Sequence, residues 1–533
     1  MQAPTRTLER AQAAWKQKLQ WDDVIREAFR YGMPQRNLHD YTLDTSVGAK
    51  KGGTTYDSTA VASVQKFSHR VVDTVFPPHR KWARLQAGPM VPKDQKKRVN
   101  EVLEAVTDRF FAILHNASNF QSAVGEWAYD LAAGTATMAL NKGDLDHPLI
   151  WAPVPVVAVA PEEGAHGEVG GVYRKIKIKI RLIKEQWPDA RLPKDLRDKT
   201  GSESDKPVTL WDCTYRDAKT GQWVYEVLWE CGTDDAKRLV RRTSKHPALN
   251  VTRFMKSSNE VQGRGPLLNA LPDIKTLNKL IELVLKNASY AVTGVWTVAD
   301  DGVTNPDTVR IVPGAMIKVA RNQGHPSGPS IAPMQMSHDF NVSMLEQERL
   351  STSIKSLMFD NALPPMAGPV RSATEYIERM KDLAQDIGPA FGRLVSEAMV
   401  PWMQAGIDIL MDMGLMADIE GLEGIDTIRV GGVNVQLVVT SPLATLQNLE
   451  EVEAIIRTME MTQTLLGPEA AAGAFKVEEL PERLATKLGF PADLIRDAKE
   501  QKQLQDLVAS KLAEMQMAVA AEQQPQQAAG VMQ

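Results

Sequence analysis

Four cations on one alternating stretch are the side chains whose type and spacing come nearest to chemistry. From Tyr173 to Leu182, Lys175, Lys177, Lys179 and Arg181 alternate with Ile176, Ile178, Ile180 and Leu182. A period of two places the cations on one face of a strand and the aliphatic residues on the other. Such a face can touch phosphates, and it suits the solvated side of a half-exposed sheet better. A second prospect is the loop Asn361-Ala-Leu-Pro-Pro-Met-Ala-Gly-Pro369. Its prolines, its glycine and the apolar Leu363 and Met366 suit a buried connector or the lining of a passage equally. Next comes Ser372-Ala-Thr-Glu375, a capping box in which Ser372 caps a helix and Glu375 reaches back. Inside that helical pattern Gly388-Pro389 removes a backbone donor, a defect of roughly 3 kcal/mol, and Pro401 repeats it. The stretch is two or three short helices, or one long helix bent on purpose.

Catalytic motifs are absent. Gly48-Ala-Lys-Lys-Gly-Gly53 has the wrong order for a phosphate-cradling loop, and Gly263-Arg-Gly265 lacks the third glycine of a dinucleotide fingerprint. Neither H-E-x-x-H, G-x-S-x-G nor a Cys/His metal spacing occurs. The expectation is no enzyme, no cofactor and no metal.

The elements that must position these residues are set by a chain of 533 residues, long enough for two to four domains. With 62 Lys plus Arg against 66 Asp plus Glu, the net charge of -4 excludes nucleic-acid binding by bulk charge. Two cysteines, Cys213 and Cys231, allow one disulfide but no framework, so a reducing compartment is the default. The N-terminus lacks the apolar core of a signal peptide, and no apolar run approaches the roughly 18 residues of a membrane span.

Helical spacing covers residues 8–31, Ser58–Val75, Asp94–Asn116 and Ser118–Ala133, with Asp94 as the expected N-cap of the third. Pro34–Thr55 reads as loop. Residues 150–255 read as an antiparallel β region, with Val208–Tyr215 and Gln222–Cys231 forming a hairpin. The class is therefore α+β and helix-rich. Arg264–Tyr290 is helical, 291–335 is a strand-and-turn insert, and His338–Phe359 returns as helix. After the loop and the helix Ser372–Met413, a strand pair is expected at Thr427–Val430 and Val433–Val439 around Gly431-Gly432. Ser441-Pro442 opens helices at Leu446–Leu466, Glu478–Leu488 and Pro491–Met517, and Val519–Gln533 has no core-forming pattern.

Two helices carrying a β insert, then a loop and a kinked helix, point to a ring with a channel. Here the chain resembles the portal, or head-to-tail connector, proteins of short-tailed bacteriophages related to T7. Three stretches carry the resemblance: Ala60 to Pro77 closing on Trp82-Ala-Arg-Leu85, Gly263 to Asn278, and Arg371-Ser-Ala-Thr-Glu-Tyr-Ile-Glu378. No one of them is diagnostic; their order and spacing make the match.

The resemblance implies a ring, usually of twelve subunits, at one capsid vertex. Double-stranded DNA is packaged and ejected through it. Residues 1–262 become most of the wing, 263–290 and 338–359 the stem helices, and 291–337 the clip. Residues 360–371 become the tunnel loop, 372–442 the kinked wing helix and strand pair, 443–518 the crown and 519–533 a disordered tail. The Pro/Gly-rich segment Gln323–Pro333 departs from the family, so clip contacts transfer least. Implied partners are the major capsid and scaffolding proteins, the terminase large subunit, a tail adaptor and internal core proteins, with no membrane. Assembly is expected in the host cytoplasm, and the final location is the head-tail junction of the virion. A net acidic ring lets DNA slide, while a few basic rings centre it. Channel candidates are Arg349, Lys355 and Arg371, with Leu363 and Met366 in the tunnel loop, and then Lys275, Lys279 and Lys286. The alternative is a ring-forming tail adaptor or other structural virion protein without a packaging role. A nuclease or transferase would need a convergent site that the sequence lacks.

Overall fold

Apolar residues at helical spacing make the first element, α1 (Pro4–Gly32), serve two cores. Its Leu8, Ala11 and Ala14 lie on a β-sheet, and its Ile25, Ala28 and Phe29 reach the main core. The chain is described by a computed structural model over residues 4–40, 48–92, 94–198, 204–217, 219–231, 236–293, 296–298, 331–333, 340–360, 388, 390–422, 430, 434–440 and 442–466, with isolated positions beyond.

Three more helices follow. They are α2 (Thr59–Val75), stopped before Pro77-Pro78, then α3 (Lys96–Asn116) and α4 (Phe120–Ala133). Asp94 does not cap α3. The N-cap position is Gln95, which makes no side-chain capping bond. The N–H groups of Gln95 and Lys96 instead bond the Pro92 carbonyl, so the helix starts a step later than the sequence suggests.

The β region is antiparallel, as the alternation requires. In one sheet β2 (Thr135–Lys142) lies between β3 (Leu149–Val154) and β9 (Leu249–Arg253). In the other, β4 (Val159–Glu163), β5 (Val169–Lys179), β6 (Pro207–Arg216), β7 (Trp223–Glu230) and β8 (Ala236–Ser244) form a five-stranded meander. Strand β5 starts before Tyr173 and ends at Lys179; Ile180–Leu182 is a 3-10 turn. That turn drops Ile180 and Ile183 under the sheet, where α5 (Ile183–Gln186) and α6 (Lys194–Arg197) close an apolar cluster with Trp187 and Leu192. The opposite face is covered by α1. Both cysteines are free, and burial pushes the Cys213 thiol up.

Helices α7 (Pro266–Thr293) and α8 (Phe340–Leu357) pack side by side, and between them β10 (Trp296–Val298) pairs antiparallel with β11 (Ile331–Pro333). The helix-insert-helix order expected from the sequence is therefore present. Residues 390–412 run as helix through a π turn at Val395–Met399 into α9 (Val400–Asp412). Pro401 cannot donate to the Glu397 carbonyl, as an α-helix would require. The Thr252 hydroxyl lies 3.4 Å from that carbonyl and 3.4 Å from Asn250 Oδ1, and shares its one proton between them. Pro401 thus lies within continuous helix over residues 390–412. Of the upstream pair, Gly388 is helical and Pro389 lies outside the described residues.

Of the strand pair expected at Thr427–Val430 and Val433–Val439, residues 427–429 and 431–433 lie outside the described residues. Strand β12 (Val435–Val439) forms its ladder with β1 (Ala83–Ala87), from the other end of the chain. Among the described residues Val430 makes an isolated parallel bridge to Val435. Helix α10 (Pro442–Leu466) follows. The expected helices Glu478–Leu488 and Pro491–Met517 and the tail lie outside the described residues, apart from isolated positions.

An aromatic cluster joins these elements. Trp402 on α9 lies 5.1 Å from Phe76, 5.0 Å from Trp127 and 5.7 Å from Trp151, measured between ring centroids. Its indole N–H donates to Asn250 Oδ1 at 3.0 Å. Because these rings come from the end of α2, from α4, β3 and α9, the cluster locks helices to the sheet.

Candidate functional site

The α7–α8 hairpin is the element on which the sequence places function, and both of its roots are pinned. At the α7 root the backbone of Gly263 and Gly265 presses on the α4–β2 turn. A Cβ on Gly134 would stand 2.3 Å from the Gly263 carbonyl, and one on Gly265 would stand 2.1 Å from the Ala132 carbonyl. Gly134 also has φ of 119°, a conformation glycine alone adopts without strain. This approach explains Gly263-Arg-Gly265 without a dinucleotide.

At the α8 root, buried Asp360 accepts from Ser63 Oγ at 3.0 Å and lies 3.0 Å from Lys66 Nζ, both on α2. Arg70, also on α2, donates to the Phe359 carbonyl. Phe359 itself sits at φ of 56°, where a non-glycine residue is uncommon. Asp360 is the last described residue before the loop, so α2 fixes the point from which the loop departs.

Between the roots the helices share a core. Ile274 and Leu277 of α7 and Leu350 and Ile354 of α8 are buried. Ser353 Oγ donates to Asp273 Oδ2 at 2.7 Å across the pair. Toward the insert the cover runs out. Leu283 and Leu285 on α7 are 47% and 53% exposed, and Met344 and Leu345 on α8 are 66% and 69% exposed. These four are functional prospects that charge-based reading overlooked. The signal available was their place in an apolar pattern beyond the reach of the wing.

The basic candidates on these helices are exposed, and four of them face acids. Lys275 Nζ lies 2.9 Å from Glu27 of α1. Lys279 and Lys286 flank Glu282 at 2.9 Å and 2.6 Å and, led by the Lys286 bond, hold its carboxyl below the usual range. Arg349 pairs with Glu346 at 2.8 Å. Lys355 is exposed on the last turn of α8. Helical ion pairs of this kind are weak and exchangeable, so a passing phosphate can compete for the cation. Leu363, Met366, Arg371, Ser372 and Glu375 lie outside the described residues.

The basic strand face is largely compensated. Lys175 lies over the Trp211 ring at 4.9 Å and 3.5 Å from Glu230. Lys179 and Arg181 reach Asp205 at 3.5 Å and 2.9 Å. With Lys175 held by a ring and an acid and Lys179 and Arg181 by an acid, these cations do not form a free phosphate grip. Among the described residues no helix is long and apolar enough to cross a membrane.

The described residues thus form a mixed α+β body with a pinned helix hairpin that keeps Leu283, Leu285, Met344 and Leu345 exposed toward the insert. The comparisons place it further. The family profile for bacteriophage head to tail connecting proteins matches residues 5–495, and the chain belongs to that family. It is thus a connector of the phage head-tail junction. No curated protein matches the chain significantly. Among solved structures, the neck of a native gene transfer agent particle computed with C12 symmetry is 13% identical. That alignment covers 82% of this chain and 90% of the other, with a TM-score of 0.35. The virion of the native particle is 12% identical over 82% and 91%, with a TM-score of 0.33. The neck of the empty particle computed with C6 symmetry is 13% identical over 82% and 90%, with a TM-score of 0.31. Likenesses this remote carry nothing further about this chain.

Proposed function

We propose that this connector is the portal subunit of a short-tailed, T7-like phage, assembled as a closed ring of about twelve copies around a DNA channel. The observation that supports the reading best is the gradient of cover along α7 and α8. Their apolar side chains are buried near the wing and bare toward the insert, at Leu283, Leu285, Met344 and Leu345. A ring covers such a stripe with the same stripe's surroundings on the next subunit, a heterologous contact that closes by rotation. The hairpin is then the stem, the insert the clip, residues 1–262 most of the wing, and α10 the start of the crown.

In this reading double-stranded DNA passes along the stem during packaging and ejection. The terminase large subunit and then the tail adaptor dock at the clip. Capsid and scaffolding proteins surround the wing, and internal core proteins meet the crown. The ring is assembled in the host cytoplasm and occupies one capsid vertex. The subunit's net charge of -4 is repeated around the ring, which disfavours tight phosphate binding and suits sliding. The work is mechanical guidance, not catalysis.

Native mass spectrometry with electron-microscope class averages of the purified protein tests the reading. The expected result is a closed ring of about a dozen copies with a central hole. A monomer that stays monomeric on co-expression with scaffold would overturn it. A ring that never joins a procapsid would favour a tail adaptor instead. Arg371→Ala is expected to leave ring assembly intact while reducing packaged or retained DNA. Loss of the ring itself would remove that residue from the channel.

A further inference from the structure

The far half of the α7–α8 hairpin has two flanks, and the helical period sorts its exposed side chains between them. Leu277, Ile281 and Val284 form the buried to half-buried stripe by which α7 meets α8. Gln347, Leu350 and Ile354 form the answering stripe on α8. A residue roughly a quarter turn from its own stripe stands on a flank.

Each flank is marked by a bond nearer the body. On one, Ser353 Oγ donates to Asp273 Oδ2 at 2.7 Å. On the other, the Asn278 side chain accepts the Tyr56 N–H at 2.7 Å and donates to the Thr54 carbonyl at 3.0 Å. Leu285 lies about two turns beyond Asn278 and so on its flank. Leu283 is about 200° around the helix from Leu285, which puts it on the flank of the Ser353 bond. On α8, Arg349 is about one turn from Ser353 and shares its flank. Met344 is about 180° from Ser353 and stands on the Asn278 flank, with Glu348 about one turn further on.

The Ser353–Asp273 bond also fixes the heights. Counting along the antiparallel helices from it, at about 1.5 Å per residue, Met344 stands within about one turn of Leu283 and Leu285. Glu348 and Arg349 stand together about one turn nearer the body. Each flank therefore carries apolar side chains at one height and a charge at a second, and the two charges differ in sign. All five side chains are exposed in the single chain. The bond from Arg349 to Glu346 joins exposed groups on one helix and is weak enough to be exchanged.

We propose that neighbouring subunits meet flank to opposite flank along this hairpin, Leu285 and Met344 of one chain covering Leu283 of the next while Glu348 faces the next chain's Arg349. The occupant of each flank is a second copy of this chain, and the inference rests on the ring reading given above. Rotation about an axis along the hairpin brings equal heights together, so apolar surface meets apolar surface and Glu348 meets Arg349. A two-fold contact between parallel hairpins would instead set a flank against itself and oppose Glu348 to Glu348 or Arg349 to Arg349. Arg349 is then a specificity residue between subunits rather than a contact to DNA.

The test uses the full chain, in rings first seen by electron-microscope class averages. Leu283→Cys and Met344→Cys are combined in a background where the exposed Cys231 is replaced, Cys231→Ser, and the rings are treated with a short bismaleimide. Denaturing gels are expected to show a ladder of linked subunits that ends at the ring number. Either new cysteine alone is expected to leave only the single-chain band. Glu348→Arg alone and Arg349→Glu alone are each expected to lower the yield of closed rings at least tenfold, and the two together to restore it to within twofold. The melting temperature of dissociated subunits checks that each variant folds; if a charge reversal disturbs it, the cross-linking result decides. In intact rings, no ladder from the cysteine pair, a dimer band from one cysteine alone, or folded charge reversals that fail to rescue each other would each overturn the proposal and leave the ring reading standing. A wild-type protein that forms no ring even with scaffold overturns the ring reading itself, and this inference with it.

Discussion

The two halves of the α7–α8 hairpin use the same kinds of side chain and differ in what covers them. In the half next to the body, Leu267, Ile274, Leu277 and Ile354 are buried by the chain itself. In the half next to the insert, Leu283, Leu285, Met344 and Leu345 face outward. Burying one such side chain stabilises by roughly 1.5–3 kcal/mol. The near half has collected that stabilisation within one chain, and the far half can collect it only from another. An apolar helix pattern therefore says that a residue will be buried but not by whom. Substitutions in the two halves should separate stability from assembly.

The largest loss of stability is expected deep in the body. Trp402→Ala removes a ring that touches Phe76, Trp127 and Trp151 and takes the indole donor away from Asn250 Oδ1. A cost of about 4 kcal/mol follows from cavity and transfer terms together. Chemical denaturation followed by circular dichroism should show a midpoint shifted far down, and an unchanged midpoint would mean the cluster is not the anchor described. Gly134→Ala acts at the hairpin's root. The added methyl meets backbone on the α7 approach and cannot be relieved by a rotamer change. With the left-handed φ included, about 3 kcal/mol is expected. Gly53→Ala, which meets nothing within 4 Å, is the matched control.

How much of this was legible in sequence depends on distance along the chain. The period of two over Tyr173–Leu182 and the helical spacing over Arg264–Tyr290 are local, and a strand at Val169–Lys179 and a helix at Pro266–Thr293 answer them, with only Ile180–Leu182 turning out of the strand. The β1–β12 ladder joins residues 83–87 to 435–439, and no local pattern announces such a partner. Asp94 misled at smaller scale, because the Pro92 carbonyl outcompeted its side chain for the first free N–H groups. The root glycines looked like a failed nucleotide motif until Gly134 was seen against them. Candidates chosen by charge were legible as exposed cations, yet the acids that face Lys275 and Arg349 belong to folded geometry as much as to sequence.

A moderate, pH-dependent effect distinguishes the body again. Burial pushes the Asp130 carboxyl up from 3.8 to about 6, against the opposing pull of Arg36 at 3.1 Å. Between those two pH values the folded chain holds a proton that the unfolded chain releases. The stabilisation from that proton is complete below the unfolded value and is lost as pH rises through about 6. Asp130→Asn should therefore gain on the wild type as pH rises across this window. The difference in melting temperature between the two proteins, followed from pH 4 to 7, measures it. Parallel curves would mean that Arg36 keeps Asp130 ionised throughout. Asp212, raised to about 6 by burial, is unchanged in both proteins and cancels from the difference.

The smallest effect on stability is expected where the effect on assembly is greatest. Leu283→Ser with Leu345→Ser changes two side chains that are already about half to two-thirds exposed in the single chain. Surface substitutions of this sort fall within about 0.5 kcal/mol, so the denaturation midpoint of dissociated subunits should hardly move. In a ring each change is repeated at every interface, and closure requires all the interfaces at once. Native mass spectrometry should then find subunits or open fragments in place of closed rings. If rings form normally, the far half of the hairpin is covered by something other than the neighbouring subunit. If instead the single subunits unfold, these leucines are packed within the chain, and the contrast between the two halves fails. Ile354→Ser supplies the opposite case from the near half: a buried side chain whose loss should lower the midpoint before it touches assembly.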